Sequence, residues 1–121
     1  MKKTTLNLKN TPTKGIARII QFKDGDKWYS VCLEFNIVEV SVNREKSFGN
    51  LIEAVEGYVE AARKIKGLHD FSFLNQTPIK EYEYMWRLSM NKDVSKFKAD
   101  KNLGSLKSPF FAGYFNLAHA K

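Results

Sequence analysis

The chain has 121 residues, a net charge of +7 and 43% apolar content. That length suits one compact core, so we expect residues 1–121 to form a single domain, with residues 1–10 as a polar arm. The single cysteine, Cys32, excludes an intramolecular disulfide, and the sequence shows neither a secretory leader nor an apolar run of bilayer length. We therefore expect a cytoplasmic protein without a membrane segment.

The charge is unevenly distributed along the chain. Residues 28–60 carry six Glu against two Lys/Arg, whereas residues 1–27 carry seven Lys/Arg against two Asp and residues 92–121 carry six against two. Basic ends can attract nucleic acid or an acidic surface, although a solvated lysine-rich tail is the simpler interpretation. The middle of the chain is thus acidic and both ends are basic.

Three short strands are predicted before the middle of the chain. From Ile16 to Phe22, alternating apolar side chains favour a strand that is buried mainly on one side. Asp24-Gly25 predicts a hairpin turn, because glycine readily adopts a positive φ. A second strand is expected from Trp28 to Leu33 or Phe35, and a third from Val38 to Val42. The expected result is an antiparallel meander with one apolar face.

One amphipathic helix is predicted after the third strand. Ser47 is the expected N-cap and Gly67 the expected stop. Gly49 and Gly57 lie inside this helix, where they are either tolerated or allow another backbone to approach closely. Eight apolar residues recur at three- and four-residue spacing and should cover the apolar face of the sheet: Phe48, Leu51, Ile52, Val55, Tyr58, Val59, Ala62 and Ile65.

Residues 68–91 are predicted to form a linker followed by a fourth strand. From Glu81 to Met90, apolar and polar residues alternate with Met85 as the exception, and a period of two favours a strand. Residues 93–101 could form one short polar helix. The predicted fold class is therefore α+β, an antiparallel sheet in β-β-β-α-β order with one main helix packed on one face.

Residues 92–121 form a basic, aromatic C-terminal extension that is predicted to be irregular or short-helical. Its segment from Phe110 to Ala118 either docks on its own core or contacts another chain, since exposed aromatic side chains form a sticky patch. Single-stranded nucleic acid binds such surfaces by base stacking and phosphate neutralisation. The candidate nucleic-acid contacts are Lys96, Lys98, Lys101 and Lys107.

The sequence predicts no catalytic residue, cofactor or metal site. No Cys or His has metal-ligand spacing, no glycine-rich phosphate loop is present, and no serine lies in the tight turn of a nucleophile elbow. Clustered acids could hold a metal, but turns and solvated strand faces explain the pairs Glu34/Glu39 and Asp24/Asp26. We therefore do not expect an enzyme.

The segment from Trp28 to Glu60 resembles the HicB antitoxin family. The residues W-Y-S-V-C-L-E-F-N-I-V, from Trp28 to Val38, match the family's strand and turn, and S-F-G-N-L-I-E-A-V-E, from Ser47 to Glu56, match its capped helix. The HicB-like core would span residues 15–67, whereas the C-terminal part does not match. Nothing after Gly67 shows the two helices and turn with which many members bind an operator.

The resemblance implies a partial ribonuclease-H-like α+β fold without the catalytic acids, self-association, and neutralisation of a small, basic, RNA-cleaving toxin of the HicA type by protein–protein contact. Two rival hypotheses are a nucleic-acid-binding or phage-type regulatory protein that uses the basic aromatic tail, and an oligomeric HicB-like scaffold. Acidic residues that could complement a basic partner are Glu34, Glu53, Glu56 and Glu60.

Overall fold

The computed structural model describes residues 9–119, which form a four-stranded antiparallel sheet and two α-helices. In the sheet the strands lie in the order β3-β2-β1-β4. This architecture confirms the predicted α+β class and its main helix, while residues 1–8 of the expected polar arm lie outside the described residues. The elements are β1 (Ile16–Asp24), β2 (Lys27–Cys32), β3 (Ile37–Ser41), α1 (Arg44–Arg63), α2 (Lys80–Ser89) and β4 (Phe111–Asn116).

The predicted hairpin joins β1 to β2. Asp24 pairs with Lys27, so the loop between the strands has two residues, and Gly25 adopts a positive φ of 65° at its first position. The turn between β2 and β3 contains Asn36, which has a φ of 54°. The three-stranded meander predicted from alternation is confirmed.

The N-terminus of α1 differs from the prediction. Asn43 is the N-cap, and its side-chain oxygen accepts a hydrogen bond of 2.8 Å from the Lys46 backbone N–H. The prediction of Ser47 as the cap is wrong, because this residue lies one turn inside the helix and is fully buried. Its hydroxyl instead bonds the hydroxyl of Ser30 on β2 at 2.5 Å. A serine that reads as a cap in sequence therefore joins the helix to the sheet.

The C-terminus of α1 comes earlier than expected. The helix ends at Arg63 with Lys64 as its C-cap, so the prediction that it continues to Gly67 is wrong. Gly67 still adopts a positive φ of 70° in the turn that follows. Ile65, expected on the buried stripe, lies beyond the helix and is 52% exposed.

The apolar stripe of α1 packs on one face of the sheet, as predicted. The helix contacts β2 and β3, and its side chains meet alternate residues of the strands. The buried centre of this layer contains Ala17, Ile19, Cys32, Leu51, Val55 and Val59.

The prediction of a strand from Glu81 to Met90 is wrong, because this segment forms α2. Met85 and Trp86 are buried against Ile20, Val31 and Leu33, which point to the face of the sheet opposite α1. The expected single apolar face is therefore also wrong, since helices cover both faces. Neither helix in residues 9–119 has the length and apolarity needed to cross a membrane.

The fourth strand is β4, which lies in the C-terminal extension that was expected to be irregular or short-helical. It pairs antiparallel with β1 along its whole length, from Ile16 opposite Asn116 to Gln21 opposite Phe111. Residues 93–101 do not form the expected α-helix; two short 3₁₀ turns, Ser95–Phe97 and Lys101–Ser105, occupy this region. The aromatic tail thus docks on its own core as an edge strand.

Candidate binding surfaces

Among residues 9–119, no group of three or more His, Cys, Asp or Glu side chains could hold a metal ion. Cys32 is fully buried on β2, and this burial raises the pKa of its thiol to about 12. A thiol protonated to that degree is a poor nucleophile at neutral pH. Cys32 is therefore a protonated thiol of the core.

Glu34 belongs to an ionic network on the α2 side of the sheet. The Nε of Arg18 donates to Glu34 at 2.6 Å, while its terminal nitrogens donate to both oxygens of Glu83 at 2.7 and 3.1 Å. The Nε of Arg87 also donates to Glu83, at 3.0 Å. Because two carboxylates face two guanidinium groups, the network is locally neutral and holds α2 against β1.

The pKa values of Glu83 and Arg18 move in the directions expected for paired charges. Burial would raise the pKa of the Glu83 carboxyl, but hydrogen bonds and charges from Arg18 and then Arg87 outweigh that effect and lower it. Burial likewise opposes the charge of Arg18, yet its contacts with Glu83 and Glu34 raise its pKa. Glu34 is thus committed to an internal pair.

The other three predicted acidic residues, Glu53, Glu56 and Glu60, share the outer side of α1, which we call the acidic face of α1. Glu53 and Glu60 are exposed and Glu56 is partly buried. Glu60 lies 3.6 Å from the ammonium group of Lys64, and both side chains are more than half exposed. Such a pair has little effect on stability and leaves the carboxylate accessible. The structure therefore separates Glu34 from this face.

The four lysines predicted as nucleic-acid contacts, Lys96, Lys98, Lys101 and Lys107, all lie exposed on the connection between α2 and β4. The aromatic residue among them, Phe97, is buried and meets the Tyr84 ring edge-on with centroids 5.4 Å apart. It is therefore part of the core and not a stacking platform. Between Lys96 and Lys107 the connection is therefore a basic surface without an exposed aromatic ring.

An aromatic groove of about 300 Å³ lies between the start of α1 and the start of β4. We define it by Arg44, Phe48, Phe110 and Phe111, which line it. Phe110 is 62% exposed and Phe111 is 41% exposed. The rings of Phe48 and Phe111 meet edge-on, with centroids 5.5 Å apart. The groove is thus mainly apolar and open to solvent.

The groove is held by buried polar contacts beneath it. Gln21 lies opposite Phe111 in the sheet, and its side-chain amide donates to the Ser30 hydroxyl at 3.0 Å and to the Arg44 carbonyl at 2.9 Å. These bonds fix the start of α1 relative to the strands. The sequence placed Phe110 and Phe111 in an aromatic C-terminal segment, but it did not indicate that α1 would supply Arg44 and Phe48.

Comparison with protein-family models, curated proteins and solved structures found no significant match. The resemblance of residues 28–60 to HicB antitoxins therefore stays a prediction from sequence. The candidate functions of this chain depend on its own residues and geometry.

Proposed function

We propose that this chain is a non-enzymatic, antitoxin-type binding protein that neutralises a small, basic, RNA-cleaving toxin by protein–protein contact. The observation that carries the proposal is the acidic face of α1, where Glu53, Glu56 and Glu60 lie on one side of a twenty-residue helix. The other side of α1 is buried on the sheet, so these carboxylates are presented on a fixed support. Residues 15–67 also have the hairpin, strand and helix order that the HicB resemblance implies.

The local charge supports a basic partner. Residues 47–62 contain three Glu and no Lys or Arg, although the whole chain has a net charge of +7. Complementary charge accelerates encounter and disfavours wrong partners, even where each contact contributes little affinity. A basic protein would therefore be attracted to the acidic face of α1 and repelled by the lysine-rich connection before β4.

Self-association is part of the proposal, and β4 supports it. This strand lies at the edge of the sheet, and residues 108–118 contain no Lys, Arg, Asp or Glu. Exposed edges usually carry charges that prevent pairing with another chain. Light scattering at micromolar concentration should show a dimer or a larger assembly, and a strict monomer would contradict this part of the proposal.

The proposal is tested by purifying the tagged full chain from its own host and identifying the proteins that accompany it. We expect a small basic protein that cleaves RNA alone and stops doing so when this chain is added. Glu53→Lys should weaken the complex about tenfold, because it places a positive charge against a basic surface. Glu81→Lys is the matched control, since it reverses an exposed glutamate on α2.

Two results would contradict the proposal. One is the absence of any basic protein among the partners that co-purify with the chain. The other is equal loss of affinity in Glu53→Lys and Glu81→Lys, since this would show that only overall charge matters and that the acidic face of α1 has no particular role. Circular dichroism of each variant establishes that the fold is retained.

A further inference from the structure

The aromatic groove presents two exposed aromatic rings at the start of β4. Phe110 and Phe111 are 62% and 41% exposed, whereas Phe97 and Trp86 are buried. Trp28 packs edge-on against Phe110 with centroids 5.2 Å apart, and most of the Phe110 side chain nevertheless stays open to solvent. A groove of about 300 Å³ is at the small end of ligand pockets, which range over about 300–1,000 Å³. The exposed rings form a stacking surface for one flat group.

Cationic side chains lie over Phe110 and over the neighbouring Trp28. The guanidinium carbon of Arg44 is 4.8 Å from the centroid of Phe110 and 5.8 Å from that of Trp28. The ammonium group of Lys23 lies 5.8 Å from the Trp28 ring. The groove therefore combines flat apolar rings with positive charge, which complements a ligand that has flat rings and negative charge.

The contact between Arg44 and Glu45 does not block such a ligand. The two side chains are 2.8 Å apart, and their exposed fractions are 40% and 72%. An exposed pair of this kind is weak, so a phosphate can take the place of the carboxylate on the guanidinium group. Glu45 nevertheless opposes an anionic ligand, and this opposition can be measured.

We propose that the aromatic groove binds single-stranded nucleic acid, with a base stacked on Phe110 and a neighbouring phosphate on Arg44. Base stacking on aromatic side chains combined with cationic neutralisation of the backbone is the general mode of such binding. The surplus of Lys/Arg in residues 1–27 and 92–121 supports a polyanion as the ligand of this groove. This site is separate from the acidic face of α1 and does not depend on the proposed toxin.

The experiment measures fluorescence anisotropy of a labelled oligothymidylate of about 12 nucleotides, with the full chain added at about 50 mM salt. An oligomer of equal length and charge that lacks bases is the reference ligand. We expect the reference to bind about tenfold more weakly, because it cannot stack on Phe110. No binding of oligothymidylate, or equal binding of the two ligands, would overturn the proposal.

Phe110→Ala locates the site. We expect it to weaken binding of oligothymidylate about tenfold, with little effect on the base-free oligomer. Tyr114→Ala is the matched control, because Tyr114 is 61% exposed, is also aromatic, and packs against Trp86 outside the groove. Equal losses in the two variants would overturn the assignment to the groove.

Two further variants test the charged part of the site. Arg44→Gln should weaken binding several-fold and reduce its salt dependence, whereas Glu45→Gln should tighten binding, since it removes the competing carboxylate. These variants keep the test possible if Phe110→Ala does not fold. A dimer that dissociates in Phe110→Ala, without any binding of oligothymidylate to the native chain, would assign the groove to a second copy and overturn the proposal.

Discussion

The two helices cover opposite faces of one sheet by different means. α1 has twenty residues, a side-chain N-cap at Asn43, and a buried stripe that includes Leu51, Val55 and Val59. α2 has ten residues, no side-chain hydrogen bond at its cap residue Ile79, and two buried residues. α1 is therefore stabilised mainly by apolar burial along its length, whereas α2 depends more on charged residues of other elements.

Those partners are the charged residues of the ionic network. Arg18 on β1 bonds Glu83 on α2 across 65 positions of sequence, and the Arg18 guanidinium carbon also lies 5.5 Å from the centroid of the Trp86 ring. Short helices are marginal without tertiary contacts, since each turn contributes few hydrogen bonds. The spacing of apolar residues in the sequence therefore predicted α1, whereas it did not predict α2.

The largest expected effect concerns the apolar layer under α1. Leu51→Ala should lower the free energy of unfolding by about 3 kcal/mol, within the range of about 2–5 kcal/mol for fully buried leucines, because it leaves a cavity against the sheet. Leu88→Ala on α2 should cost less than half as much, since that side chain is partly exposed. Urea unfolding measures both changes in the free energy of unfolding. Equal changes in the two variants would contradict the proposed difference between the helices.

A smaller effect is expected from the ionic network. Glu83→Gln should lower the free energy of unfolding by about 1–2 kcal/mol at pH 7, because it weakens charged hydrogen bonds to Arg18 and Arg87 that are only partly exposed. Glu81→Gln, at an exposed position of the same helix, should change stability by less than about 0.5 kcal/mol. A similar loss in both variants would show that the network does not hold α2.

The same carboxyl predicts a pH dependence. The pKa of Glu83 is lower in the folded protein than its ordinary value of 4.5, so its contribution is complete above that value and is lost as pH falls through the folded pKa. The stability difference between the native chain and Glu83→Gln should therefore shrink below about pH 4.5. Urea unfolding between pH 7 and about pH 3 measures it, and a constant difference would contradict the assignment.

The smallest expected effect concerns the outer side of α1. A Cβ added at Gly57 meets no atom within 4 Å, so Gly57→Ala should raise the free energy of unfolding by about 0.5–1 kcal/mol. Ala61→Gly, on the same helix, should have the opposite sign. If Gly57→Ala is more stable yet binds the partner protein less well, close approach at this glycine is the reason for its presence.

The elements that the sequence predicted correctly are those specified by neighbouring residues. The Asp24-Gly25 turn, the meander and the stripe of α1 each depend on residues within one or two turns or strands. In the segment from Glu81 to Met90, the apolar residues fit a period of two almost as well as a helical period. Met85 is the only residue that departs from the period of two. The side chains of Ile20 and Val31 lie on a second face of the sheet, and α2 covers that face.

The candidate sites also differ in how far the sequence could predict them. Glu53, Glu56 and Glu60 could be placed on one helix face from spacing alone, because helical geometry is local. The sequence alone could not show that Glu34 pairs with Arg18 and therefore lies apart from the acidic face of α1. The aromatic groove was equally hidden, since Phe110 and Arg44 are brought together only when β4 pairs with β1 and α1 packs beside them.

The sequence by itself determined the α+β class, the first three strands, the long helix and its acidic outer side, because turn chemistry and hydrophobic periodicity act between close neighbours. Only the tertiary structure decided that a second helix covers the other face, that the aromatic tail supplies the fourth strand, and which charges remain exposed. Those outcomes depend on contacts between residues far apart in the chain, and such contacts form only where burial and ion pairing outweigh the entropy of closing long loops.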